Sequence, residues 1–161
     1  MRIFVSNSGP IISFARAGCL DLLEKVIGEL WIPEAVYQDI VVKGKGRPGS
    51  DEVRQGKWLK RKEIEDKTKL GLFPHDLGMG EVEAIILAEE LKAVLIVDDR
   101  KARQVAERRG IETVGSLKIV KEAKDKGLID KAKPLGDKLR KEGLRIKDAL
   151  YHEFLEEMEE R

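Results

Sequence analysis

Short apolar runs alternate along the chain with longer stretches in which apolar residues recur at helical spacing. Ile3-Phe4-Val5 is β-prone, and Ser6-Asn7-Ser8-Gly9-Pro10 behind it carries a helix start, with Ser8 or Gly9 able to cap a helix that Pro10 opens. Leu30-Trp31-Ile32 ends at Pro33, which opens a second helical stretch from Glu34 to Val42. Lys43 to Ser50 reads as a basic, glycine-rich loop, Trp58 to Ile64 as a short edge strand or part of the same excursion, and Thr68 to Gly80 as another loop. From Glu81 the pattern sharpens: Ala84, Leu87, Ala88 and Leu91 share one helical face, and Val82, Ile85 and Ile86 widen it, which predicts a largely buried helix. Ala93-Val94-Leu95-Ile96-Val97 then runs continuously apolar, as a strand covered on both faces must. Asp99 to Arg109 reads as helix stopped by Gly110, Glu112 to Val114 as a strand, Ser116 to Lys126 as helix ended by Gly127, and Leu135 to Lys141 and Ile146 to Met158 as two last helices. In the last of these, Ile146, Ala149, Leu150, Phe154 and Met158 form an apolar stripe suited to packing on the domain or on a second subunit.

Strand and helix in alternation with short connections predict an α/β fold with a mainly parallel sheet and helices on both faces. The chain of 161 residues is expected to form a single domain, 1–161. Hydrophobic residues make up 42% and charged residues 38%, which excludes disorder throughout. No apolar run approaches the roughly 20 residues that cross a bilayer, and the N-terminal residues lack a signal-peptide core. A cytoplasmic location without a membrane partner is therefore expected. One cysteine, Cys19, and two histidines, His75 and His152, exclude a soft-ligand zinc cluster or a redox pair.

Lys and Arg total 31 against 30 Asp and Glu, a net charge of +1 that conceals an uneven distribution. Lys43 to Lys69 carries ten basic and five acidic residues, whereas His152 to Arg161 carries five Glu and one Arg, an acidic tail read as a solvated surface. The high Lys and Glu content, with one Asn and three Gln, fits a protein from a hot environment. Gly44 to Gly49 matches G-x-G-x-x-G, but it follows a helix instead of a strand, so a dinucleotide site is rejected.

In parallel α/β sheets chemistry collects beyond the carboxyl ends of the strands. Asn7 follows the first strand and Asp98-Asp99 follows the central one. Glu81 opens the preceding helix on its inward face, and Asp39 lies one turn from Ala35 and Val36. Singly, each acid is as much at home as a helix cap or dipole partner. Together they would repel by about 4 kcal/mol per close pair at an effective dielectric of 20, so a cluster calls for a hard divalent ion or shared protons. Mg²⁺ or Mn²⁺ suits oxygen ligands and phosphodiester hydrolysis.

At these residues the chain resembles the PIN-domain nucleases, in particular the archaeal and bacterial branch related to VapC-type toxins. The likeness is carried by Val5 to Ile12, Ile32 to Asp39, Gly80 to Ile85, Ile96 to Arg103 and Val114 to Leu117, and it extends over nearly the whole chain. It implies a three-layer α/β/α sandwich, metal-dependent cleavage of RNA, and the setting of a toxin held by a small antitoxin protein. By position, Asn7 would stand at the family's first acidic site, Asp39 at the second, Glu81 at the third, with Glu83 also fitting, and Asp99 or its neighbour Asp98 at the fourth. Asp39, Glu81 and Asp99 would hold the metal. Asn7 departs from the usual Asp and offers a neutral oxygen, so weaker metal affinity is expected. Arg100 and Arg103, with Lys45 and Arg47 of the basic segment, are the candidate RNA contacts, and a homodimer is expected. A domain of another class, one that binds RNA or a protein partner without turnover, is the competing reading that Asn7 favours.

Overall fold

The computed structural model describes residues 2–160. Its sheet contains β1 (Phe4–Ser6), β2 (Leu30–Ile32), β3 (Leu59–Arg61), β4 (Val94–Ile96) and β5 (Thr113–Val114), all parallel, in the order β3-β2-β1-β4-β5. The helices are α1 (Ser8–Arg16), α2 (Leu20–Ile27), α3 (Glu34–Tyr37), α4 (Ser50–Gln55), α5 (Met79–Leu91), α6 (Arg100–Arg108), α7 (Ser116–Asp125), α8 (Ala132–Lys141) and α9 (Asp148–Glu157). No helix among the described residues is long and apolar enough to cross a membrane.

Successive strand residues point to opposite faces, so a strand covered on both sides must be apolar at every position. The run from Ala93 to Val97 meets this demand. Val94 and Ile96 join Leu30, Ile32 and Val114 above one face, packed by Phe14 of α1, Leu23 of α2, Ile119 of α7 and Leu139 of α8. Leu95 and Val97 join Val5 below the other, packed by Ile85 and Leu87 of α5 and by Ala102 and Ala106 of α6. The result is the expected three-layer sandwich. Helix α5 is apolar nearly all round, with Val82 and Ala84 to Ala88 all buried.

Several local features differ from the expectations. Helix α1 begins at Ser8 with Asn7 at its N-cap, two residues before Pro10, which sits in the first turn where its missing N–H costs nothing. The helix after Pro33 changes character at Gln38 and finishes as a π-helical turn, Gln38–Val42, closed by Lys43 N–H donating to the Gln38 carbonyl at 2.8 Å. The basic loop is shorter than expected because Ser50 starts α4, whose Val53 reaches the core. The stretch after Asp66 is not structureless: Lys67–Leu72 forms a 3₁₀ turn capped by the Asp66 carboxylate.

The largest difference is the phase of α9. Tyr151, Leu155 and Met158 are buried and Phe154 partly so, while Leu150 is 53% exposed and Ala149 also faces outward. The cause is a slot opposite Gly136 of α8, where an added Cβ would lie 2.5 Å from the Tyr151 hydroxyl. That hydroxyl donates to Asp137 at 2.6 Å, so the aromatic ring and its polar tip set the rotation of the helix instead of the aliphatic stripe. The acidic tail is likewise not wholly solvated. Glu160 turns back through a left-handed Glu159 and its carboxylate accepts from Lys124 Nζ at 2.7 Å and from the Ala132 and Lys133 amides at 2.7 and 2.8 Å. Burial pushes this carboxyl up, but the ammonium and the two amides outweigh it and hold the pKa at about 2.

Replacing Gly136 by Ala expels the Tyr151 ring and costs about 1–3 kcal/mol in urea unfolding, whereas Leu150→Ala stays within about 0.5 kcal/mol of wild type. Because the Glu160 pKa is depressed, its contribution to stability is present above the ordinary carboxylate value and is lost as pH falls toward about 2. Glu160→Gln therefore lowers the thermal midpoint at pH 7, and the gap to wild type closes in acid; a gap independent of pH contradicts this account of the tail.

Candidate active site

Asn7 ends β1 and Asp98 and Asp99 follow β4, and these two strands are direct neighbours, paired Phe4 with Val94, Val5 with Leu95 and Ser6 with Ile96. Their carboxyl ends therefore open side by side. The π turn brings Asp39 to the same end, and the first turn of α5 brings Glu81. Asn7, Asp39, Glu81, Asp98 and Asp99 line one pocket of about 430 Å³, together with Ser8, Lys43 and Gly80.

Each side chain is held differently. The Asn7 amide is 6% exposed, and its Oδ1 is buried with no hydrogen-bond partner among the described residues. An unsatisfied buried acceptor costs about 1–3 kcal/mol. Asp39 Oδ2 accepts from Ser8 Oγ at 3.1 Å, and Lys43 Nζ stands 3.7 Å from Oδ1. Glycine at position 80 lets α5 come this close, since a Cβ there would lie 2.9 Å from Asp39 Oδ2. Glu81 Oε1 accepts from the Gly78 amide at 3.0 Å. Burial pushes the Glu81 carboxyl above its usual range, the Gly78 bond opposes this, and the nearby Asp99 charge adds to it.

The adjacent acids at the end of β4 have separate surroundings. Asp98 accepts from the Ser116 amide at 2.7 Å and from Ser116 Oγ at 2.5 Å, tying β4 to the start of α7; burial still pushes its pKa up. Asp99 is exposed and caps α6 by accepting from the Ala102 amide at 2.9 Å. Glu83 accepts from the Ala35 amide at 3.0 Å, fastening α5 to α3, and does not line the pocket.

The candidate RNA contacts do not gather at this pocket. Arg103 turns inward and donates to the Val97 carbonyl at 3.2 Å, with its Nε buried and unpaired. Arg100 is exposed, and it lines a neighbouring groove instead. Lys45 and Arg47 are exposed on the turn between α3 and α4 and line neither cavity. The sequence reasoning missed Ser8, Ser116 and Gly80, which position Asp39 and Asp98. Ser8, next to Asn7, carried a signal as a possible cap, and Gly80 and Ser116 lie in stretches that carry the family likeness.

The chain matches the family model of the DUF3368 PIN domain over residues 3–160. It belongs to the PIN domain family. Among solved structures it is similar to a PilT N-terminus domain protein from the hyperthermophilic archaeon Sulfolobus solfataricus, with a TM-score of 0.54 and 19% identity over 73% of this chain and 90% of that one, a likeness of fold. No curated protein matches the chain. The PIN family is of nuclease type, and its nucleases generally use divalent metal ions. The pocket of this PIN domain suits such an ion chemically. Its possible donors are oxygens, from four carboxylates and an amide whose buried Oδ1 has no partner among the described residues. As placed, no three acidic, His or Cys side chains among the described residues stand within reach of one common ion; Asp39, Glu81 and Asp99 are instead engaged separately, by Ser8, the Gly78 amide and the Ala102 amide.

A carboxyl whose folded pKa is raised destabilises the fold as pH climbs through and above the ordinary carboxylate range, since the unfolded chain releases its proton first. Glu81→Gln keeps an acceptor for the Gly78 amide and removes the buried charge. Its thermal midpoint should exceed that of wild type at pH 7 and converge with it near pH 4; an equal or lower midpoint at neutral pH contradicts the burial argument.

Proposed function

We propose that this PIN domain is a Mg²⁺- or Mn²⁺-dependent endoribonuclease of the VapC-like branch, acting in the cytoplasm as the toxin of a toxin–antitoxin pair. The observation that carries the reading is one pocket lined by Asn7, Asp39, Glu81 and Asp99, four oxygen donors from distant parts of the sequence. Asp39, Glu81 and Asp99 would hold the ion, and Asn7 Oδ1 would gain there the partner it lacks within the protein. A hard divalent ion supplies charge neutralisation at the phosphodiester and activates water for attack. Asn7 orients the phosphodiester or the attacking water, Ser8 fixes the Asp39 carboxylate, and Asp98 keeps α7 docked at the pocket edge through Ser116. Arg100 and the basic segment with Lys45 and Arg47 gather RNA by phosphate contacts, so binding weakens steeply with salt. A small antitoxin and a second copy of the chain are the protein partners in this reading.

The competing reading, a module that binds RNA or protein without turnover, draws on the same Asn7, since an amide in place of a carboxylate removes one negative charge from the ion's surroundings. Incubation with labelled single-stranded RNA separates the two. Wild type should cleave in Mn²⁺ and not in EDTA, Asp99→Asn should lose cleavage, and Ser8→Ala should need about 10–100-fold more Mn²⁺ for half-maximal rate. Binding without cleavage in every condition would establish the module instead.

A further inference from the structure

A second concavity, about 1530 Å³, shares Asp98 and Asp99 with the carboxylate pocket and runs away from it between the starts of α6 and α7 and the α8–α9 connection. Its chemistry is of another kind. Arg100, Lys118, Lys141, Arg145 and Lys147 line it, all exposed and none in an ion pair or side-chain hydrogen bond among the described residues. Two further arginines there are already engaged: Arg140 with Asp148 and over the Tyr151 ring, and Arg103 with the Val97 carbonyl. Between the free cations lie Leu117, Leu144, Ile146, Leu150 and Phe154, and Leu150 is 53% exposed. Glu153 and Glu157 stand on the α9 side alone.

Uncommitted cations are needed to bind phosphates, and exposed apolar and aromatic surface between them is what unstacked bases require. A strand lying in this groove would pass directly over the Asp98–Asp99 junction into the carboxylate pocket. We propose that the groove is the track of a single-stranded nucleic acid whose phosphodiester is presented to that pocket, with Lys118, Lys141, Arg145 and Lys147 on phosphates and Leu150 and Phe154 against bases. The occupant rests on the nucleic-acid reading of the carboxylate pocket. The track adds residues beyond the Lys43 to Lys69 segment and far from it in the sequence.

The test uses the full chain and a short fluorescein-labelled oligouridylate in EDTA, so that binding is read by anisotropy without cleavage. Lys141→Glu with Arg145→Glu should weaken binding about tenfold or more and flatten the log–log salt dependence by about 0.7 for each phosphate no longer neutralised. Lys25→Glu with Arg108→Glu, the same change of net charge on exposed residues outside both cavities, should do much less. Glu153→Gln should strengthen binding. Thermal midpoints check that the variants are folded. Equal loss in both double variants, or no oligouridylate binding by wild type, overturns the track. Binding of an oligoglutamate peptide in its place would give the groove to an acidic protein segment and also overturn it. The two proposals fail separately: metal-dependent cleavage with groove-independent binding sinks the track alone, and groove-dependent binding without cleavage in Mn²⁺ sinks the nuclease alone.

Discussion

The parallel pairing of β1 with β4 is the constraint on which the pocket depends. The strand order β3-β2-β1-β4-β5 turns around between these two, since β2 and β3 extend the sheet on one side and β5 on the other. At such a reversal the connections leave in opposite directions and the carboxyl ends of the two strands open into a crevice. Asn7 and Asp99 stand at its two lips as the N-caps of α1 and α6. Both strands are short, and a shift of one residue in their register would turn the side chains of the shifted strand to the wrong layer and displace its cap from the other. The hydrophobic layering that stabilises the sheet is thereby the same device that places the polar groups.

Much of this was legible in the sequence, for a physical reason. The continuous apolar run from Ala93 to Val97, too short for a helix, suits a strand buried on both faces, and the nearly all-round apolar α5 suits an interior helix. Once those two are placed, the acids just before and after them are confined to one end of the sheet. What was not legible depends on partners far away in the chain. The phase of α9 follows from a slot at Gly136 that no periodicity within 146–158 reveals. Glu160 was read with its acidic neighbours, yet its surroundings come from Lys124 and the start of α8. Glu81 and Glu83 differ by two positions and both fit the helix pattern; Glu81, nearer the helix start, is preferred, and what engages Glu83 is the distant Ala35 amide.

The same principle orders the charges of α5. Three of its acids are bound to other parts of the chain. Glu83 meets the Ala35 amide, Glu89 pairs with Lys69 and Arg109, and Glu90 accepts from the Glu65 and Asp66 amides. Glu81 is set apart. Its one partner among the described residues is the amide of its own cap, and its carboxyl lies in the pocket beside the Asp99 charge. A buried helix supplies few places to put a charge, so a carboxylate left only locally paired is a cost that interior packing does not recover.

Asn7 bears on that cost directly. A carboxylate at this position would add a further negative charge beside Asp39, Glu81 and Asp99, while the amide keeps an oxygen in the same place without the repulsion. Lys43 offsets Asp39 from one side only, at 3.7 Å and largely in solvent, where such a pair contributes about 0–1 kcal/mol. The pocket's negative charge is therefore lowered from within by the buried amide at Asn7 more than by a counter-charge at its mouth. A cation entering it would find the Glu81 and Asp99 carboxylates, whose charges already bear on one another, and the unpaired Asn7 oxygen as a neutral donor in the same pocket.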